Sequence, residues 1–241
     1  MIRHILATAL LSTALLALPV HAASDIDNLT GLGQTNFRLL SEDLGATLSY
    51  KPLIPAEPLG VTGFDLGIEV SATKLANPVA FDAATSGGSV DTLALPKLHV
   101  HKGLPFGLDI GASYAAVPDS NIKVWGAEVR YAILKGGTAT PALAVRGSYS
   151  ALEGVDQLKL ATTAVDVSIS KGFALFTPYA GIGRVWVKST PDASTGLTLE
   201  DFELNKVFVG LNMNLAVVNI AVEGDKTGDA TSYGIKFGWR F

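Results

Sequence analysis

The chain contains no cysteine, which excludes a disulfide framework and removes the thiolate as nucleophile or metal ligand. Histidine is scarce as well: of four residues, His4 and His21 lie near the start, leaving His99 and His101 in the body of the chain. Charge of one sign is also lacking. Lys and Arg number 18 against 22 Asp and Glu, for a formal net charge of −4, and no basic stripe runs along the sequence. Nothing is therefore placed to neutralise phosphates, and a nucleic-acid partner is not expected. Beyond the N-terminus no apolar run approaches the ~20 residues that a membrane-spanning helix needs. A chain of this kind enters a membrane as strands or not at all.

The N-terminus does carry one apolar run. Met1 to His4 form a short basic start, Ile5 to Leu18 are apolar, and Pro19-Val20-His21-Ala22-Ala23 follow. These are the three regions of a secretory signal peptide, with Val20 and Ala22 placed for cleavage after Ala22. The run is too short for an inner-membrane anchor. The expected organisation is a signal peptide over 1–22, an N-terminal segment over 23–62 and one further domain over 63–241.

The C-terminal stretch Thr231 to Phe241 reads T-S-Y-G-I-K-F-G-W-R-F. Tyr233, Ile235, Phe237, Trp239 and Phe241 occupy every second position, with Gly234, Lys236, Gly238 and Arg240 between them. Successive side chains of a strand point to opposite faces, so one face is apolar and the other small or cationic. Its length is about the 9–11 residues with which a tilted strand crosses a bilayer. This stretch resembles the terminal strand of a Gram-negative outer-membrane β-barrel. The resemblance implies that Tyr233, Phe237, Trp239 and Phe241 form the signal read by the barrel-assembly machinery. It also implies periplasmic chaperones as partners during biogenesis, outer-membrane lipid around the finished protein and the cell outer membrane as its location.

The same alternation recurs upstream. Phe64, Leu66, Ile68 and Val70 oppose Asp65, Gly67 and Glu69, and Trp125, Ala127, Val129 and Tyr131 oppose Gly126, Glu128 and Arg130. Ten strands are expected, over 63–74, 92–102, 107–116, 122–133, 140–150, 160–171, 176–188, 203–213, 215–224 and 231–241. The alternation of the second switches phase at Pro96, which suggests a bulge. The facing of the seventh is ambiguous, and a reversal is expected at Asn212-Met213-Asn214. Long connections alternate with short ones, as in barrels with short periplasmic turns and longer external loops. The fold class is thus all-β, a transmembrane antiparallel up-and-down β-barrel of ten strands. Tyr114, Trp125, Tyr131, Tyr149, Tyr233 and Trp239 are expected as aromatic girdles.

Two patterns compete before Pro52. Phe37, Leu40, Leu44 and Leu48 lie at helical spacing, whereas Leu44, Ala46, Leu48 and Tyr50 alternate. An amphipathic helix followed by a proline-rich linker gives ten strands, and a hairpin over 32–50 gives twelve. Loop parity puts this stretch on the short-turn side, at or inside the barrel mouth.

The inward face is expected to carry Asp65, Glu69, Asp109, Glu128, Asp166 and Glu223 against Arg130, Arg146, Arg184, Lys206, Lys236 and Arg240. A one-sign ring would argue for an ion-selective pore. Here acids and bases balance, so they either pair and hold the barrel shut or line a narrow channel. Inward glycines, among them Gly67, Gly111, Gly126, Gly210, Gly234 and Gly238, leave room for a thin solute path or ease curvature. The lumen-lining candidates are Glu69, Asp109, Glu128, Arg130, Arg146, Asp166, Lys206, Glu223, Lys236 and Arg240. A passive channel for a small solute is the first functional expectation. A structural or surface-interaction barrel acting through its loops is the alternative.

Catalysis is not expected. His99 and His101 lie two apart on one strand face, but no third zinc ligand is near in sequence. No G-x-S-x-G motif marks a nucleophile. No cofactor and no metal are expected.

Overall fold

The computed structural model describes residues 25–85, 89–117 and 120–241. The signal-peptide reading falls on residues outside this set, as do parts of two of the long connections. Ten strands run β1 (Phe64–Lys74), β2 (Thr92–Gly103), β3 (Leu108–Ala116), β4 (Lys123–Lys135), β5 (Ala142–Glu153), β6 (Leu158–Ser170), β7 (Phe176–Pro191), β8 (Glu200–Leu215), β9 (Val218–Thr227) and β10 (Ala230–Arg240). Each pairs antiparallel with its sequence neighbours, and β1 pairs with β10 from Asp65↔Arg240 to Lys74↔Thr231, closing the barrel. Closure leaves no edge strand with unpaired backbone groups, the condition for a sheet to stand in hydrocarbon.

The barrel is apolar outside. Ile68, Val129, Val167, Val209, Ile235 and Phe237 all point outward and are exposed. So are Tyr114, Trp125, Tyr131, Tyr149, Tyr233 and Trp239, the expected girdle residues. Inward on the same strands lie buried Asp65, Glu69, Glu128, Arg130, Asp166 and Lys236. An apolar exterior over a polar interior is the build of a transmembrane β-barrel.

Several details differ from the sequence expectation. β2 keeps one phase through Pro96, which stands opposite Val70 in an unbroken register. The apparent switch arises because the inward side chains change from Leu93 and Leu95 to Lys97, His99 and His101 while the alternation continues. Among the described residues, the one register shift lies between β4 and β5, at Ala132/Leu134. β8 runs on to Leu215 and turns at Ala216-Val217, not at Asn212-Met213-Asn214, with Ala216 at φ 56°. In β7, Thr177, Tyr179, Val185 and Val187 are buried inward while Ile182, Arg184 and Trp186 face out. Arg184 therefore leaves the lumen set: on the outer wall it pairs with Glu203 at 2.6 Å, both side chains about half exposed at 47% and 52%.

The stretch before the barrel is helical. Helix α1 (Gln34–Leu48) buries Phe37, Leu40, Leu44 and Leu48 to 3% exposure or less, so the helical spacing outweighs the alternation and the count is ten strands. A second short helix, α2 (Pro78–Ala84), sits in the β1–β2 connection.

The position of α1 differs from expectation. Residues before it, and its first residue, touch the long-loop end: the Ile26 amide donates to Asn121 Oδ1, Leu29 N–H to Gln157 Oε1, and Gln34 bonds Thr198. From there the chain descends. Ser41 meets Ser189, Tyr50 packs at Gly126, Leu53 at Gly234, and the Ala56 amide reaches Ser170 Oγ. Gly63 finally bonds Gly103 at the short-turn end, where β1 begins. The segment thus threads the barrel from the long-loop end to the short-turn end. Loop parity missed this because it constrains only where β1 starts, and an extended chain of about 3.3 Å per residue crosses a barrel in few residues.

Candidate functional site: the occupied lumen

The lumen has two zones with different chemistry. Near the long-loop end, inward wall residues Leu93, Leu95, Val124, Leu152, Leu160, Val185 and Val187 pack with Phe37, Leu40, Leu44 and Leu48 of α1 in one buried apolar cluster. Gly45 faces Val187 so closely that a Cβ there would lie 2.6 Å from Cγ2, so the glycine lets the helix lie against the wall. Polar anchors flank this packing. The Asp43 carboxylate accepts from the amides of Ala76 and Asn77 at 2.9 and 2.7 Å, just past the end of β1.

Toward the short-turn end the filling changes to an extended strap over residues 49–59, and the wall becomes charged. Wall cations hold the strap's carbonyls: Lys206 Nζ donates to Tyr50 O, Lys97 Nζ to Lys51 O, and Arg130 to Pro55 O and Glu57 O. In return Asp109 Oδ1 accepts the Leu59 amide. Such bonds suit a strap with prolines, whose missing N–H groups and interrupted backbone leave carbonyls without ladder partners. Strap residue Lys51 turns back on the C-terminal carbonyls of α1, donating to Ala46 O at 2.7 Å and Thr47 O at 3.4 Å.

The wall charges also pair with one another. Arg130 binds Asp109 at 2.7 Å, Arg146 binds Asp166 at 2.8 Å and lies 3.5 Å from Glu128, and Lys97 binds Glu69 at 2.6 Å. Lys236 and Arg240 share Asp65, Tyr179 donates to Glu223 at 2.9 Å, and Lys206 and Lys51 flank Asp225 at 3.8 and 3.7 Å. All ten lumen candidates named from the sequence lie on the inward face, in this zone. Those not foreseen are Lys51 and Tyr50 of the strap, Lys97, and Asp225. Asp225 continues the alternation of Ala221 and Glu223 inward, a signal the sequence does carry. The inward glycines are filled over: a Cβ at Gly126 would strike Tyr50, at Gly210 Tyr179, and at Gly111 His101. A void beside Tyr50, Lys97 and Ser150 measures about 10 Å³, at the lower limit for one water molecule. By contrast, a groove of about 670 Å³ lies on the outer wall, bordered by the outward Ile182, Trp186 and Val207.

His99 and His101 are buried, their rings 5.1 Å apart, and the sheet brings Asp65 of β1 against them. The third potential ligand that the sequence does not reveal is thus supplied across the strand pair.

No family model matches the chain, and no curated protein matches it. Among solved structures it is similar to the outer-membrane protein OprG of Pseudomonas aeruginosa, at 15% identity and a TM-score of 0.37, over 78% of this chain and 99% of that one. It is also similar to the KdgM porin, at 11% identity and a TM-score of 0.36, over 75% and 99%. A third is the N-terminal β-barrel domain of Pseudomonas aeruginosa OprF, at 13% identity and a TM-score of 0.36, over 73% and 97%.

Proposed function

We propose that this chain is an exported outer-membrane barrel, kept shut by its own N-terminal segment, that works through the surface at its long-loop end without catalysing a reaction. The observation that carries this reading is the filled lumen. Residues 34–59 occupy it from one end to the other, bound to wall side chains of many strands. The loop-end surface is assembled from separate parts of the chain, with residues 25–34 laid across the β1–β2, β3–β4, β5–β6 and β7–β8 connections. Export by a cleaved signal peptide, passage by periplasmic chaperones and insertion through the terminal aromatic residues Tyr233, Phe237, Trp239 and Phe241 belong to the same proposal.

A second reading is a gated channel for a small solute. The charged lower wall favours it, because Arg146, Asp166 and Glu223 would line an aqueous path if the strap left. Planar-bilayer recording of the purified, folded barrel separates the two. The surface reading expects no conductance steps from the intact chain. Regular steps of one size would overturn it in favour of the channel.

A further inference from the structure

We infer that the lower lumen holds a divalent transition-metal site built from Asp65, His99 and His101. One ligand atom from each lies within 4.8 Å of the others, and all three residues are buried to 3% exposure or less. The inference does not depend on whether the barrel conducts.

The His99 ring stands between two carboxylates. Its Nδ1 faces Glu69 Oε2 at 3.6 Å, and its Nε2 faces Asp65 Oδ1 at 3.1 Å. Both Nδ1 and Glu69 Oε2 are buried without a hydrogen-bond partner. A neutral imidazole has one N–H and one lone pair. With the proton on Nε2 the ring donates to Asp65 Oδ1 at 3.1 Å; with it on Nδ1, directed at Glu69, the Nε2 lone pair and Asp65 Oδ1 become two adjacent donor atoms for one metal ion. A metal ion there would complete the carboxylate–histidine–metal arrangement by which a neighbouring carboxylate orients a ligating ring. The 3.1 Å gap is close to the ~3.3 Å that separates two ligands of a tetrahedral ion with bonds of about 2.0–2.1 Å. Asp65 Oδ2 accepts from Arg240 Nε at 2.7 Å and Lys236 Nζ at 3.1 Å, and Lys236 Nζ also lies 3.2 Å from Oδ1, so the ion would bind through Oδ1 in place of that last contact.

His101 adds a second imidazole, its Nδ1 likewise buried without a partner. Glu128 lies beside His101, outside this cluster of three. Its Oε1 lies 3.4 Å from His101 Nε2, and neither of its carboxylate oxygens has a hydrogen-bond partner. Two imidazoles with one monodentate carboxylate select a zinc-like ion over calcium or magnesium, which require more oxygens. Entry is from the short-turn end, where the Arg240 side chain is 17% exposed.

The test uses the full mature barrel without a polyhistidine tag, refolded from urea into detergent with Co(II) or Zn(II) and then freed of loose ion. The expected result is a single ion per barrel by elemental analysis, with visible Co(II) absorption of a nitrogen-coordinated ion that Zn(II) abolishes. His99→Gln with His101→Gln should lose the ion, with folding checked by heat-dependent gel migration. A wild-type barrel that refolds and retains no ion overturns the proposal, and so does uptake unchanged in the folded double variant. Should the double variant not fold, wild-type Co(II) absorption without nitrogen coordination would overturn it equally.

Discussion

The two halves of the lumen solve one problem in opposite ways. At the long-loop end the barrel is closed by a helix whose leucines and Phe37 meet a wall of leucines and valines. At the short-turn end it is closed by an extended strap whose carbonyls are held by Arg130, Lys206 and Lys97. The helix satisfies its own backbone internally, so its surroundings can be apolar, and burial then contributes roughly 25 cal/mol per Å². An extended strap has no internal hydrogen bonds, so a buried one must find donors and acceptors on the wall. The chemistry of the wall therefore follows the secondary structure of what fills it. A charged lumen wall in this chain marks the path of the strap as much as any route for solute.

This contrast can be broken outright by removing its filling. Deleting residues 25–59 exposes the charged lower wall to water, and the expectation is a barrel that conducts where the intact chain is silent. Planar-bilayer recording checks this, and a silent deletion variant that is shown to be folded would mean that the segment is not what shuts the barrel.

In the charged half, Arg130→Met strands the Asp109 carboxylate and leaves Pro55 O without its donor. A loss of about 3–5 kcal/mol is expected, the usual cost of one orphaned partner in a buried pair. Adding Asp109→Leu should recover a good part of it, because the uncompensated charge is gone. Urea unfolding in lipid vesicles, followed by tryptophan fluorescence, measures both. If the single and double variants are equally unstable, the strap bonds outweigh the ion pair.

In the apolar half, Leu44→Ala should cost about 2–5 kcal/mol through a cavity at the helix–wall contact. The same unfolding measurement applies, and a value near zero would mean that the wall closes onto the helix without loss. The lower end of the range is expected if Val185 and Val187 can move inward.

Much of the fold was legible because a bilayer imposes a strict alternation. Outward positions must be apolar along every strand, so Thr231 to Phe241, Phe64 to Val70 and Trp125 to Tyr131 read directly as strands and faces. Legibility failed where the inner face stopped being polar. Leu93 and Leu95 look like a phase change at Pro96 only if the lumen is assumed to hold water, and Val185 and Val187 obscure the facing of β7 for the same reason. Arg184 was misplaced on that account: its neighbours gave no clear parity, and an outward arginine beside Glu203 lies where the strands of the β7–β8 hairpin carry outward Lys188, Asp201 and Glu203.

The candidate metal cluster shows a further limit. His99 and His101 share a face through their spacing alone, but Asp65 is more than thirty residues distant and joins them only through the β1–β2 register. That register sets Asp65 opposite His101 and Gly67 opposite His99. No local pattern encodes it.

By itself the sequence determined that the chain has one apolar and one mixed face over a series of strands and that the terminal strand closes it, and it placed Phe37, Leu40, Leu44 and Leu48 at a helical spacing that competed with a hairpin, and so ten strands with twelve. These are local periodicities, set by the geometry of strand and helix. Only the tertiary structure decided where that helix goes and which charges meet. The path of a segment through a closed barrel depends on contacts between residues such as Tyr50 and Gly126, or Leu53 and Gly234, that are distant in sequence and adjacent only once the sheet has closed around them.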